Sequence, residues 1–245
     1  MRAIILSAGL GTRLRPLTDK TPKPLVPVAG RPMMSYVLDE LEHGGFTEVL
    51  VNVHYLAEQM EAFVELENSR RKKLRLFIQD EKKEILGSGG AIAQAASWLF
   101  ARDSIALAFN ADSFMKPDLP DLVRAHRELV KSHRVLCTLS VIKHYDAGRR
   151  YTGLHVVDGI VQKFVAPDPR RVEDCLHFPG VYCIEKAAVE YLEPPGTPCS
   201  IMEKLWAPLV QEGRLGAWNY LGHYQDLGTV EDLRAAEAAL ARFKD

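Results

Sequence analysis

Cysteine, charge of one sign and long apolar runs are all scarce in this chain, and each scarcity removes a class of function. The four cysteines, Cys137, Cys175, Cys183 and Cys199, show no C-x-x-C spacing and no paired histidines; this argues against a zinc module and leaves reduced thiols. With 31 basic against 32 acidic residues the net charge is −1, so no global field would hold the chain on nucleic acid or an anionic membrane. Any phosphate binding must therefore be local. The one dense basic run, Arg70-Arg71-Lys72-Lys73, has no interleaved aromatic residues and reads as a solvated loop between a helix and a strand. No apolar stretch reaches a membrane-spanning length, and the first is followed by Arg13 and Arg15 where a secretory signal would have small residues. Neither membrane nor nucleic acid is expected as a partner, and the expected location is cytoplasmic.

At 245 residues the chain can bury a sizeable core as one large α/β domain or at most two small ones. Strand-like runs at residues 3–7, 48–53, 74–79, 104–109 and 134–141 alternate with helical periodicity at 32–43, 56–66, 89–100 and 119–131, which predicts parallel strands joined by right-handed crossovers. Pro32 suits the first helical position. After Lys143 the pattern shifts to short strands at 153–157, 160–165 and 181–184, with Asp158-Gly159 as a hairpin turn. A final helix starts at Val230 behind the box Thr229-Val230-Glu231-Asp232 and carries Leu233, Ala236, Leu240 and Phe243 on one face. The expected fold is α/β, a Rossmann-like, mostly parallel twisted sheet with helices on both faces and a small antiparallel β lid. Within a single domain, 1–143 would form one half, 144–229 a second half that carries the lid, and 230–245 the closing helix.

The densest signal lies at the start. Ala3 to Leu6 is a buried-strand run, and Gly9 and Gly11 lack Cβ atoms where the chain leaves it, so backbone N–H groups can turn toward an anion. Arg13, Arg15, Lys20 and Lys23 add charge between Pro16, Pro22 and Pro24. Two better-known glycine loops are missing. There is no Gly-Lys-Ser/Thr ending for a Walker loop, and Leu14 stands where a dinucleotide fingerprint needs a third glycine or alanine. From Ala8 to Pro27 the chain instead resembles the sugar-1-phosphate nucleotidylyltransferases, whose signature G-x-G-T-R-x-x-P-x-T, then P-K-P-L-x-P, is filled at every fixed position.

Phosphoryl transfer calls for a divalent cation, and Mg²⁺ takes one or two carboxylates. Asp112 follows the apolar run Ile105 to Phe109, at the carboxyl end of a central strand where open α/β sheets bind ligands. Taken alone, it could equally cap the turn before Phe114. The stretch Tyr224-Gln225-Asp226-Leu227-Gly228-Thr229 matches the family element W/Y-x-D-I/L-G-T, which implies Asp226 as a second ligand to the same Mg²⁺. Leu86-Gly87-Ser88-Gly89-Gly90-Ala91 resembles the family's L-G-T-x-G-A stretch at the nucleobase, with Gln79, Asp80 or Glu81 left open as the base reader. Tyr151-Thr152-Gly153 and Phe178-Pro179-Gly180-Val181 resemble elements near the sugar.

The resemblance therefore implies catalytic residues Arg13, Lys23, Asp112 and Asp226. It implies nucleotide binding by Ala8, Gly9, Gly11, Thr12, Arg13, Gln79, Gly87 and Gly89, and sugar binding by Asn110, Gly153 and Gly180. Two departures stand out: Asn110-Ala111-Asp112 replaces N-G-D, and Phe164-Val165-Ala166-Pro167 carries no glutamate where E-K-P is expected. The uridylyltransferases for N-acetylmuramate 1-phosphate and the guanylyltransferases for mannose or heptose 1-phosphates are the nearer in pattern. The implied partners are a nucleoside triphosphate and a sugar 1-phosphate, acted on by a monomer or small homo-oligomer, with base and sugar undetermined. Cytidylyl transfer to a phosphate such as phosphocholine and a non-catalytic nucleotide-sugar sensor are the alternatives.

Overall fold

Each branched, apolar run in the first half is too short for a helix and is followed by a segment of helical period, so the chain winds as successive β-α-β units. The computed structural model describes residues 1–241. It begins with β1 (Arg2–Leu6), a ribbon of β2 (Pro27–Val28) and β3 (Arg31–Pro32), α1 (Met33–His43), β4 (Glu48–Val53), α2 (Ala57–Arg70), β5 (Arg75–Asp80), α3 (Gly87–Leu99) and β6 (Ile105–Asn110). It continues through β7 (Ser113–Met115), α4 (Leu119–His133), β8 (Cys137–Lys143), β9 (Gly153–Val157), β10 (Ile160–Val165), β11 (Leu176–His177) and β12 (Val181–Glu185). Last come α5 (Ala207–Gln211), β13 (Leu215–Asn219), β14 (Tyr224–Asp226) and α6 (Val230–Ala241). Phe243 lies outside the described residues, and so does the side chain of Leu240.

Ten strands form one mixed sheet in the order β11-β9-β10-β13-β8-β12-β6-β1-β4-β5. Its parallel part is β6-β1-β4-β5, joined by β8 with β13. Strand β12 runs antiparallel between β6 and β8. The antiparallel hairpin β9–β10 grows out of this sheet: β10 pairs with β13, and β11 ties β9 back to β8. At its turn Asp158 and Gly159 both have positive φ, 50° and 76°, the requirement of a type I′ hairpin.

Helices cover both faces. Val37, Leu38 and Leu41 of α1, Met60 and Phe63 of α2 and Leu122 of α4 pack on one. Ile92, Ala95 and Leu99 of α3 and Leu209 of α5 pack on the other. A third, smaller core joins Leu14, Val26, Met33, Phe114, Leu227 and Leu233. Leu14 is wholly buried there, and burial of a leucine contributes roughly 1.5–3 kcal/mol. This small core pins the N-terminal loop against β7 and α6.

Two expectations change, and one stretch left unassigned gains its elements. Pro32 ends β3, paired with Pro27 across the ribbon, and α1 starts one residue later. Arg71 is not solvated: its guanidinium is only 11% exposed and bonds Asp39 (2.7 Å), Glu42 (2.8 Å) and Glu67 (2.7 Å). Three carboxylates gathered from α1 and α2 draw it out of the basic run. The region between β12 and β14, without a clear period in sequence, holds a 3-10 turn at Lys186–Tyr191, a wide turn at Met202–Trp206, α5 and the internal strand β13.

Candidate active site

Strands β1 and β6 lie side by side and parallel, so both release their chains at the same edge, where loops must diverge and leave a crevice. A cleft of about 350 Å³ opens there, lined by Ala8, Gly9, Gly11, Thr12, Arg13, Lys23, Gly87, Asn110 and Asp112 among the residues singled out from sequence. Gln79, Gly89, Gly153, Gly180 and Asp226 do not line it.

The loop after β1 is shaped for an anion. Gly11 has φ +63°, and a Cβ there would stand 2.9 Å from Thr18 Cγ2 and 3.0 Å from Lys23 Cβ. Its carbonyl accepts from the Leu14 N–H (2.9 Å) and Thr18 Oγ1 (2.8 Å), which turns the preceding peptides over. Among the described residues, the N–H groups of Ala8, Gly9, Gly11, Thr12 and Arg13 have no acceptor in the protein. A run of unpaired donors lining a crevice is a cradle for phosphate oxygens. The flanking cations divide: Arg15 turns to Asp19 (3.3 Å), Lys20 is exposed, and only Arg13 and Lys23 reach the cleft.

Lys23 is held between two buried prolines, Pro22 and Pro24, and its ammonium donates to Asp112 Oδ2 at 2.7 Å. Asp112 sits just beyond β6, and its carbonyl accepts from the Leu227 N–H (3.1 Å). Strands β7 and β14 pair Ser113 with Asp226, bringing the second aspartate alongside the first from the far end of the chain. Asp226 Oδ2 accepts from the Tyr151 hydroxyl at 2.7 Å. A Cβ at Gly228 would meet Asp226 Oδ1 at 3.0 Å and Arg13 Nη1 at 3.1 Å, so the missing side chain is what lets these charges converge. Each aspartate thus spends one oxygen on a donor and, among the described residues, keeps Oδ1 without a hydrogen bond. Two hard oxygen donors beside a phosphate cradle fit Mg²⁺, which binds through one or two carboxylates and substrate oxygens.

A model of the nucleotidyl transferase family matches residues 2–242. The chain belongs to that family. The chain is 31% identical over 231 residues to the mannose-1-phosphate guanylyltransferase catalytic subunit beta of Drosophila pseudoobscura pseudoobscura, covering 94% of this chain and 60% of the relative. It is 29% identical to the mannose-1-phosphate guanylyltransferase of Mycobacterium tuberculosis, covering 98% and 64%. It therefore spans less than two thirds of the length of these relatives. Among solved structures, HddC from Yersinia pseudotuberculosis complexed with GMP-PN superposes with a TM-score of 0.78 at 24% identity, covering 98% of this chain and 99% of that one. UDP-glucose pyrophosphorylase from Acinetobacter baumanii gives 0.79 at 18% identity, covering 99% and 94%. The shared fold is that of nucleotidyltransferases.

Around the segment from Gln79 to Gly89 the structure departs from the sequence reading. Gln79 is 8% exposed, and its amide donates to Glu81 Oε1 (2.9 Å) and the Ala91 carbonyl (3.0 Å). Strand alternation points it inward, so its side chain supports Glu81 and not the cleft. Glu81 is itself buried and also accepts from Asn52 Nδ2 (3.0 Å) and the Leu86 N–H (3.1 Å). Asp80 faces outward and caps the Lys82 N–H (2.7 Å). The wall here is made by Asn52, Ile85, Gly87 and Ser88. Asn52, whose Oδ1 accepts from the Ser7 N–H (2.6 Å), escaped the sequence reading. A lone amide inside the apolar run Val49 to Val53 was its signal.

Gly89 packs on Cys199, where a Cβ would meet Sγ at 2.8 Å, and Gly153 on Cys175 in the same manner. Both serve close packing away from the cleft. Gly180 backs the cleft wall: its carbonyl accepts from the Asn110 N–H (2.8 Å). Ala111 is 4% exposed and packs against the core while also lining the cleft floor, so the residue that replaces the usual glycine lies at the boundary between the two.

Behind Asp226 lies a cluster of rings that the sequence left unlinked: His144, Tyr151, His177 and Tyr224. His177 Nε2 and Tyr224 Oη are 3.1 Å apart, while His177 Nδ1 is buried without a partner among the described residues. Burial, then the neighbouring His144, pulls the His177 pKa down to about 4. Burial, reinforced by the Asp226 carboxylate, pushes Tyr151 and Tyr224 far above the usual phenol range. His177, Tyr151 and Tyr224 are therefore neutral at physiological pH, an uncharged backing to Asp226.

Proposed function

We propose that the protein transfers a nucleotidyl group from a nucleoside triphosphate to a sugar 1-phosphate, forming a nucleoside-diphosphate sugar and pyrophosphate. One observation carries this reading: unpaired N–H donors from Ala8 to Arg13 share a cleft with the Lys23–Asp112 ion pair. The names of relatives that cover nearly all of this chain support guanylyl transfer to a hexose 1-phosphate as the first combination to test.

In this reading the loop N–H groups bind the triphosphate, and the forked Arg13 guanidinium holds the β- and γ-phosphates. A sugar-phosphate oxygen attacks the α-phosphorus in line, and the bond to the β-phosphate oxygen breaks to release pyrophosphate. A phosphate monoester is already ionised near neutral pH, so no general base is required. The Lys23 ammonium neutralises charge where the two phosphates meet, shifting away from Asp112 as they enter. Asp112 and Asp226 would hold Mg²⁺, which supplies compact positive charge to the crowded phosphoryl oxygens. Pyrophosphate release measured across GTP, UTP, CTP and dTTP against mannose, heptose, glucose and N-acetylmuramate 1-phosphates tests the proposal. No release from any pair with Mg²⁺ present would refute it.

A further inference from the structure

We propose that Tyr151 is a positioning residue whose hydroxyl fixes the Asp226 carboxylate so that Oδ1 stays on the side of Gly228 and Arg13. The inference rests on Asp226 being a metal ligand and assigns a role to a residue outside that ligand set. Asp226 ends a three-residue strand whose sheet partner is β7, so its backbone is thinly anchored and its side chain could rotate freely. The Tyr151 hydroxyl, 2.7 Å from Oδ2, removes that freedom.

Tyr151 is in turn held from several sides. Its ring lies 4.6 Å from that of His177 at 35° and meets His144 edge-on at 5.7 Å. Its N–H donates to the Asp146 carbonyl (3.1 Å), and its own carbonyl accepts from the Gly148 N–H (2.9 Å). The adjacent Arg150, whose guanidinium lies 5.1 Å over the Tyr151 ring, reaches the same C-terminal segment at a different residue, with two bonds to Asp232 at 3.2 and 2.9 Å. The loop between β8 and β9 therefore touches this segment twice, for different ends: Arg150 fastens α6, and Tyr151 aims a carboxylate. A tyrosine that resemblance places near the sugar has its hydroxyl committed to the aspartate.

The two contacts separate experimentally. Mn²⁺ binding to nucleotide-free protein, followed by electron paramagnetic resonance, is compared for Tyr151→Phe, Arg150→Ala and Asp226→Asn. Phenylalanine keeps the ring packing, so the fold should survive, and loss of an outer-shell hydrogen bond should weaken Mn²⁺ binding about tenfold. Arg150→Ala should lower Tm but leave Mn²⁺ affinity within about twofold, since it touches no ligand. Asp226→Asn should weaken binding more than either. Wild-type affinity in Tyr151→Phe with weakened Asp226→Asn would overturn the positioning role alone. Equal weakening in Tyr151→Phe and Arg150→Ala would overturn it too, showing simple tethering of the segment. Wild-type affinity in Asp226→Asn would bring down the metal reading, and this inference with it.

Discussion

Replacing Asp112 by asparagine should separate nucleotide binding from turnover. The substitution keeps the shape of the side chain, removes one carboxylate from the cleft and dissolves the 2.7 Å pair with Lys23. That pair is partly shielded, with side-chain exposures of 12% and 32%, so it lies between surface pairs, worth under about 1 kcal/mol, and buried ones. A loss of about 1 kcal/mol follows, which for a chain of this size lowers Tm by roughly 2–4 °C. Catalysis should suffer more: losing one preorganised electrostatic contact costs on the order of 10²–10³ in kcat, or about 2.7–4 kcal/mol. Binding of metal-free triphosphate should move the other way. A negative charge has left and Lys23 is released toward the phosphates, a gain of about 1 kcal/mol at solvent-like screening, or roughly fivefold in Kd. Pyrophosphate release at saturating Mg²⁺ gives kcat, and titration with nucleotide in chelator gives Kd. Turnover near wild type, or metal-free binding that weakens, would refute the assignment of Asp112 and of the Lys23 pair.

The two cleft cations should fail differently. Lys23→Ala is expected to raise KM for the sugar 1-phosphate and lower kcat, while Arg13→Ala mainly lowers kcat and the reverse reaction with pyrophosphate; steady-state kinetics in both directions decide between them. Gly11→Ala forces φ +63° on a side chain that would press on Thr18 and Lys23, so it should cost about 1–3 kcal/mol and raise the Kd for triphosphate, read by denaturant melts and nucleotide titration. His177, packed among His144, Tyr151 and Tyr224, has its pKa drawn down to about 4, whereas in the unfolded chain it titrates near about 6.5. Only the unfolded state takes up that proton between the two values, so stability is full above the upper one and falls with acidification down to the lower. The fall is at most roughly 3 kcal/mol. His177→Phe should flatten the dependence of Tm on pH between those values, and an unchanged slope would show that the imidazole is not kept neutral by its surroundings.

Much of the parallel half was legible because its strands are buried on both faces and read as unbroken apolar runs, as at Glu48 to Val53 and Ile105 to Asn110. The stretch from Lys186 to Asn219 was not: it lacks a sustained period, and β13 is a strand by virtue of β8 and β10 on either side. At the cleft, the glycine loop, Lys23 and Asp112 could be named because they fall close together in sequence or at a strand end. The side chains that orient them could not. Glu81, Asn52 and Tyr151 act through partners far away along the chain, and no local pattern announces such a bond. Gln79 misled for a related reason, since a polar residue beside a nucleobase loop can as well turn inward to a buried carboxylate.

The position of β13 has a consequence in time. A ribosome delivers residues in order, yet this late strand lies at an inner position, between β8 and β10. Until it emerges, β8 lacks its partner from Cys137 to Val141, with only its end at Ile142 and Lys143 held by β11, and the outer edge of β10 is open. Strand β14, later still, delivers Asp226. A nascent chain could therefore form the glycine loop early, but would carry an open, aggregation-prone edge and lack Asp226 until β14 has been made. A chain stalled or cut before residue 219 would be a sticky fragment with an open sheet edge.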